Sequence, residues 1–290
     1  MKKIVFLGCE NSHANTFLKY IQEDEKYKDV EVLGVYSDEL EACEKLKETF
    51  GVKIMKSYDE AVNEADGIVV TARHGDNHLK YALPYFKKGM TMFIDKPITI
   101  KEEDALELVK KAKETGVKLT GGSCIRFDEK LLALKQDADE KKDGETWGGF
   151  VRAPLSNDER YGGFFFYSQH LVEAMCTVFG KYPKSVKAFE NGSVTTVVFR
   201  YENYDVTGTF TLGAWTYFAY RCTQKGIDGG KIFDNMAPSF KAEWDEFYDL
   251  LSGEEQKADF KDFISPVFIL NAVNNSIKSG KEEPVKTYEV

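Results

Sequence analysis

The chain has 290 residues, of which 42% are aliphatic, aromatic or cysteine and 30% are charged. That apolar supply supports a sizeable core and excludes a chain disordered throughout, and the length corresponds to about two ordinary domains. Thirty-nine basic against 48 acidic residues leave a net charge of −9, which argues against a general binder of nucleic acid or of anionic membranes.

The opening MKKIVFLGCE holds an apolar run, Ile4 to Leu7. It is shorter than the roughly 7–15 residues of an export signal, so it reads as a buried strand. Ala14, Phe17, Leu18 and Ile21 then repeat at i, i+3, i+4, i+7, one face of a helix. Val30 to Tyr36 reads as the second strand, and Ala42, Cys43, Leu46 and Phe50 as a helical stripe that Gly51 caps. A strand at Val52 to Met55 and a short helix around Tyr58 to Asn63 are expected next. Gly67 to Thr71 is the fourth strand. Leu79, Ala82, Leu83 and Phe86 stripe a helix ending at Gly89, in which Pro84 predicts a kink or a late start. Met92 to Ile94 is the fifth strand. Thr99 and Glu102 have capping-box spacing before the stripe Ala105, Leu108, Val109, Ala112, with Gly116 behind it. Val117 to Thr120 closes the set. Such β-α alternation predicts an α/β doubly wound parallel sheet of the Rossmann type over residues 1–121.

Residues 122–290 read as an α+β domain with an antiparallel sheet. Val194 to Tyr201 and Val206 to Leu212 flank the turn Glu202-Asn203-Tyr204-Asp205 as a hairpin, with Ala214 to Thr223 as a third strand. Helices are expected at about Phe164 to Phe179, Pro238 to Leu251 and Pro266 to Ile277, the last two with proline near the first turn. Tyr201, Tyr204, Phe210, Trp215, Tyr217, Phe218 and Tyr220 cluster in this sheet. Half would fill its core and the rest could face a partner subunit, so a homo-oligomer through the C-terminal sheet is expected. Cys9, Cys43, Cys124, Cys176 and Cys222 are odd in number and widely spaced, without C-x-x-C. This argues for a reducing, cytoplasmic setting and against a disulfide framework or structural zinc. No run approaches the roughly 20 apolar residues of a membrane span.

Four places carry candidate chemistry. Gly8-Cys9-Glu10-Asn11-Ser12-His13 joins the first strand to the first helix, where a dinucleotide's phosphates can approach the backbone at a helix N-terminus. Only the first glycine of G-x-G-x-x-G is present, and Glu10 must point away to avoid repelling a phosphate, so an ordinary β-α loop is the competing reading. Asp38 closes the second strand, placed to accept from a ribose diol or to cap the next helix; it favours NAD over NADP, because Glu39 and Glu41 follow rather than a base. Lys96, in Asp95-Lys96-Pro97, stands beyond a strand's carboxyl end, where its charge can stabilise an alkoxide or polarise a carbonyl; a surface lysine in a turn is the alternative. His170, within an aromatic helix, suits proton exchange near neutrality or serves as a core residue. His74 and His78, four apart around Asp76, lack H-E-x-x-H and read as capping and packing residues, so no metal is expected.

Together these positions resemble the Gfo/Idh/MocA family of NAD(P)-dependent oxidoreductases over nearly the whole chain. Thr71-Ala72-Arg73-His74 through His78, Gly89 and Asp95-Lys96-Pro97 look like the family's T-P-N-x-x-H…A-G-K-x-V-x-x-E-K-P, with Asp95 for the usual Glu. Arg126-Phe127-Asp128 looks like its R-F-D, and Gly162-Gly163 through His170 and Glu173 like its G-G-G-x-x-x-D-x-x-x-H-x-x-D. The resemblance implies a Rossmann domain followed by an open-faced antiparallel sheet domain, with substrate between them. It also implies hydride exchange between the nicotinamide of NAD, or less readily NADP, and a hydroxyl-bearing carbon of a sugar, polyol or related small molecule. By position, Gly8, Glu10, Asn11, Ser12, His13, Asp38, Thr71, Arg73, His78 and Lys96 would face the cofactor. Lys96 would orient the substrate oxygen, His170 would exchange its proton, and Arg126 and Tyr167 would line the substrate site. Phe166 stands where the family has an aspartate, with Tyr167 or Glu173 as candidate substitutes. That departure and the glycine-poor turn keep two other readings open: a non-catalytic binding protein, and a redox-neutral lyase or glycosidase that retains NAD.

Overall fold

A computed structural model describes all 290 residues. It forms two compact units, residues 1–122 with 240–263 and Val290, and residues 123–239 with 264–289. The chain thus departs from a single cut after residue 121, because segment 240–263 returns to the first unit. The reason is apolar burial: Trp244 and Phe247 are wholly buried in that unit's core. Trp244 lies 5.0 Å from the Phe17 ring and 6.4 Å from that of Phe6. Emptying such a site costs about 3–5 kcal/mol.

The first unit runs β1 (Lys2–Leu7), α1 (Ser12–Glu23), β2 (Val30–Tyr36), α2 (Leu40–Phe50), β3 (Gly67–Val70), α3 (Asp76–Ala82), β4 (Thr91–Asp95), α4 (Glu102–Thr115) and β5 (Lys118–Gly122). The strands pair in parallel in the order β2-β1-β3-β4-β5. Gly51 and Gly116 end α2 and α4 in the left-handed region, as helix-terminal glycines do. Pro84 ends α3 early: the α-helix stops at Ala82 and Leu83–Tyr85 continues as a 3-10 turn.

Three expectations for this unit are corrected. Val52 to Met55 is no strand: it touches β2 only at a bridge between Val35 and Ile54, so the sheet has five strands. Tyr58 to Asn63 forms successive turns rather than a helix, with Glu60 N–H on the Ser57 carbonyl and Val62 N–H on that of Asp59. The capping box does not form, because Thr99 Oγ1 donates to the Lys101 carbonyl at 2.8 Å and Lys101 takes the cap position without a side-chain bond.

The second unit begins with α5 (Glu129–Asp139), β6 (Thr146–Leu155), α6 (Phe165–Phe179), β7 (Ser185–Asn191), β8 (Val194–Arg200), β9 (Asp205–Leu212), β10 (Tyr217–Thr223) and β11 (Gly226–Ile232). The helix α7 (Ala237–Leu251) leads back to the first unit, and α8 (Phe260–Ser279) and β12 (Glu283–Pro284) follow. The sheet runs β11-β10-β6-β9-β8-β7-β12 and is antiparallel apart from the parallel pair β6–β9. The hairpin β8–β9 forms as expected, closing at Arg200 opposite Asp205. The third strand does not join it: β6 occupies the free edge of β9, and β10 pairs with β6 and β11 instead. Pro266 is the seventh residue of α8, not near its start. The helix begins earlier because the carboxylate of Asp259 accepts from Lys261 N–H at 2.6 Å.

One face of this sheet carries α6, which packs on β6 and β9. Twelve of its 15 residues are buried, as expected of a helix apolar nearly all round. Phe210 and Tyr217 are buried among the aromatics, whereas Trp215 is 59% exposed. Phe150, Phe218 and Tyr220 are partly exposed and alternate with buried neighbours, which places them on the opposite face of the sheet. The Phe218 and Tyr220 rings lie parallel there, 6.4 Å apart.

Candidate active site

In the first unit the candidate residues collect at the carboxyl ends of β1, β2, β3 and β4. Gly8 takes φ +71°, and a Cβ there would sit 2.4 Å from that of Ala72, so the turn and the close approach both require glycine. Thr71 Oγ1 donates to the Gly8 carbonyl at 3.0 Å. Asn11 caps α1 by accepting from His13 N–H at 3.4 Å, and its Nδ2 donates to Asp95 Oδ2 at 2.7 Å. The Asp95 carboxylate, wholly buried, also lies 3.0 Å from His13 Nδ1 and accepts from Lys96 N–H at 2.7 Å. Burial pushes this carboxyl up, but the His13 ring and the Lys96 charge outweigh it and hold it below the ordinary value. The other His13 nitrogen faces Glu243 at 3.5 Å.

Glu10, in the place of the motif's second glycine, turns inward. Its Oε2 accepts from Ser37 Oγ at 2.6 Å and its Oε1 from Arg73 N–H at 2.9 Å. Ser12 is exposed at the start of α1, whose first turn holds no acidic residue. Asp38 stays half exposed at the end of β2 and accepts from the hydroxyls of Tyr36 at 2.8 Å and Tyr81 at 2.9 Å. Partial burial raises its carboxyl, but these bonds and Lys80, 3.3 Å away, bring it below the ordinary value. A base does therefore sit beside Asp38, supplied by α3 rather than by the residues that follow it.

The histidine pair takes the capping and packing roles read from its spacing, and His78 is closed to the cofactor contact that the resemblance implies. His78 is sealed from solvent, with Nε2 at 2.8 Å from the Ala72 carbonyl and Nδ1 at 3.2 Å from that of Ile98. Burial favours its neutral form, in which the single N–H can donate to only one of these two carbonyls. His74 Nδ1 accepts from Asp76 N–H at 3.3 Å, so each histidine of this pair serves the local backbone. Lys96 is only 4% exposed, and the Lys96–Pro97 peptide is cis.

In the second unit His170 lies on α6 with Nδ1 2.6 Å from Ser123 Oγ. Its ring meets Tyr167 at 4.8 Å and Tyr217 at 6.1 Å, both edge-on. Tyr167 also meets Trp215 at 5.1 Å, whereas Phe166 packs against Tyr161, also at 5.1 Å. One turn along α6, Glu173 accepts from Gln169 Nε2 at 3.2 Å. Burial pushes the Glu173 carboxyl up, against the lowering effects of Arg126, Lys181 and the Ser123 N–H. Arg126 is thus an electrostatic neighbour of Glu173, with its guanidinium 4.1 Å over the Phe127 ring. Sequence reasoning missed Ser123; the one signal for it is a serine placed to cap the turn Cys124–Phe127.

A glycine turn at a helix start and an acid ending β2 of a parallel sheet are features of a dinucleotide-binding domain. Residues 2–123 match the model of the Gfo/Idh/MocA oxidoreductase family with its NAD-binding Rossmann fold. The chain is 34% identical over 133 residues to the oxidoreductase YhhX of Escherichia coli (strain K12), covering 42% of this chain and 38% of that protein. It is 29% identical over 138 residues to a glucose-6-phosphate 3-dehydrogenase of Bacillus subtilis (strain 168), covering 47% of this chain and 37% of that one. The chain therefore spans less than two thirds of the curated relatives it matches. A scyllo-inositol dehydrogenase from Lactobacillus casei, solved with NAD(H) and scyllo-inositol, superposes with a TM-score of 0.83 at 15% identity, over 99% of this chain and 100% of that one. At that identity the likeness is one of fold. No helix is long and apolar enough to cross a membrane.

The residues present fit a dinucleotide. The Glu10 carboxylate is turned onto Ser37 and Arg73, the first turn of α1 is free of acids, and Asp38 remains accessible at the end of β2.

Proposed function

We propose that the protein is an NAD-linked dehydrogenase or reductase acting on a hydroxyl-bearing carbon of a sugar, polyol or related small molecule. The observation that carries the proposal is the Asp95 carboxylate. It accepts from Asn11 and lies against His13 in the β1–α1 turn, while the next residue is Lys96, so the turn and the lysine are held by one buried group. Ser12 and the start of α1 would take the phosphates, and Asp38 a ribose diol. The nicotinamide, when bound, supplies or takes the hydride. Lys96 orients the substrate oxygen and stabilises its negative charge. His170 exchanges the hydroxyl proton, and Tyr167 and Arg126 contribute to substrate binding. The partly exposed stripe Phe150, Phe218 and Tyr220 is the proposed contact with a second copy of the chain.

The test is Lys96→Met, which keeps the volume of this nearly buried side chain. NAD binding by calorimetry should persist, while turnover on a sugar and polyol panel should fall at least about a hundredfold. Full turnover in the variant, or no NAD binding by the unaltered protein, would remove the proposal.

A further inference from the structure

We propose that Ser123 is a positioning residue that holds neutral His170 as the tautomer with its proton on Nε2. The inference deepens the reading of His170 as the proton-exchanging residue, on which its functional consequence rests.

The argument is an inventory of one hydroxyl. Ser123 is wholly buried, so its O–H must find its partners within the protein. A serine hydroxyl has one proton to donate and two lone pairs. One lone pair accepts from Ile125 N–H at 3.3 Å, the bond that caps the turn Cys124–Phe127. The other close neighbour is His170 Nδ1 at 2.6 Å. If Nδ1 carried the proton, Ser123 Oγ would accept twice and its own buried proton would be left unused, at the cost of an unmade hydrogen bond. If Ser123 donates to Nδ1, the proton and the lone pair are both used. The neutral ring then carries its proton on Nε2.

The backbone holds the serine for this task. Ser123 N–H donates to Glu173, and the Ser123 carbonyl accepts from Arg126 N–H at 3.3 Å. His170 and Glu173 are three apart on α6 and so share a face. One face of the helix thus meets Ser123 at two points, its hydroxyl and its amide. Phe166 offers no polar atom to the ring, so the orienting group is a hydroxyl from 47 residues upstream. The consequence is chemical. A carboxylate partner can only accept, and would keep the proton on Nδ1. A hydroxyl that donates makes neutral His170 a hydrogen-bond donor at Nε2, suited to polarising a carbonyl oxygen as hydride arrives. Accepting a proton at Nε2 requires the other neutral tautomer, in which the ring proton has moved from Nε2 to Nδ1 and the Ser123 hydroxyl has turned to accept from it.

The experiment uses the intact chain without cofactor, labelled with ¹⁵N-histidine. The four histidines are assigned with the help of His170→Asn. At a pH where His170 is neutral, its Nδ1 should resonate as a pyridine-like nitrogen and its Nε2 as a pyrrole-like one. Ser123→Ala should shift the ring toward a mixture of tautomers, and Ser123→Thr should restore the single form. A pyrrole-like Nδ1 in the unaltered protein overturns the proposal, and that measurement stands even if Ser123→Ala does not fold. Unchanged shifts in a folded Ser123→Ala overturn it as well. With a substrate in hand, Ser123→Ala should lower kcat roughly tenfold with little change in KM, the scale of one hydrogen bond. If the tautomer is as stated but His170→Asn leaves turnover intact, the positioning stands and the catalytic reading of His170 fails.

Discussion

The Asp95 carboxylate lies 3.0 Å from the Nδ1 of His13, with both side chains closed to solvent and on different elements. The contact joins the end of β4 to the first turn of α1, so it fixes the geometry of the β1–α1 turn from the side. Asp95→Asn should cost about 3 kcal/mol or more, because it strips a buried charge from its partners. The loss should depend on pH with a definite sign. A carboxyl held below its ordinary value of 3.8 contributes stability that is present above that value and lost as the pH falls through its folded one. Urea unfolding should show a wide gap between the two proteins at neutral pH that narrows as the pH falls below 3.8. A constant gap would mean that Asp95 acts through packing alone.

Glu173 predicts the opposite slope. Burial holds its carboxyl above the ordinary 4.5, so the folded state favours its protonated form. Its favourable contribution is full below 4.5 and is lost as the pH rises through the folded value. Glu173→Gln, which cannot ionise, should therefore gain stability relative to the unaltered protein as the pH rises across that window. The comparison is of denaturation midpoints at matched pH, and a relative loss with rising pH would show that Arg126 outweighs burial.

Cofactor choice should follow the balance between Asp38 and Lys80. The half-exposed carboxylate disfavours a 2′-phosphate, and the lysine 3.3 Å away softens that effect. NAD should bind more tightly than NADP. Lys80→Ala should widen the preference and Asp38→Ala narrow it by about tenfold, or about 1.4 kcal/mol. Calorimetric titration of both nucleotides decides this, and tighter NADP binding by the unaltered protein would reverse the assignment.

The parallel sheet was legible because its strands are short apolar runs separated by helical stripes. Ala105, Leu108, Val109 and Ala112 are all buried, as their spacing predicts. In the second unit β6 and β11 left no such signal. The former reads TWGGFVRAPL and the latter GIDGGKI, and glycine and proline in those runs read as loop. Without β6, which lies between them, β10 reads as the direct neighbour of β9. At the site, Asp95, Lys96 and His170 stood out through motif spacing. Ser123 did not, because it meets His170 only after the chain has folded back over 47 residues. His78 fits the same motif, and its complete burial between two carbonyls agrees with the packing role that its spacing suggests. The base beside Asp38 was sought next to it in sequence, and it arrives instead from α3.

His170→Asn bears most directly on the proposed chemistry of the second unit. Asparagine is polar and of similar reach, and its side chain can still bond Ser123, so the fold should survive; circular dichroism and the melting transition check this. It cannot take or give a proton near neutrality, so turnover on a responsive sugar or polyol should fall by about two to four orders of magnitude, the usual share of a general acid–base group. NAD affinity should be unchanged, because the candidate cofactor residues belong to the first unit. The pH profiles should change in form as well as height. Oxidation of an alcohol needs an unprotonated acceptor, so its rate should rise with pH through the ionisation of the histidine, and reduction of the corresponding carbonyl should fall over the same range. Both limbs should be missing in the variant. An unaltered rate and profile, measured where chemistry limits turnover, would make His170 a core residue and would leave proton exchange in this protein to another group.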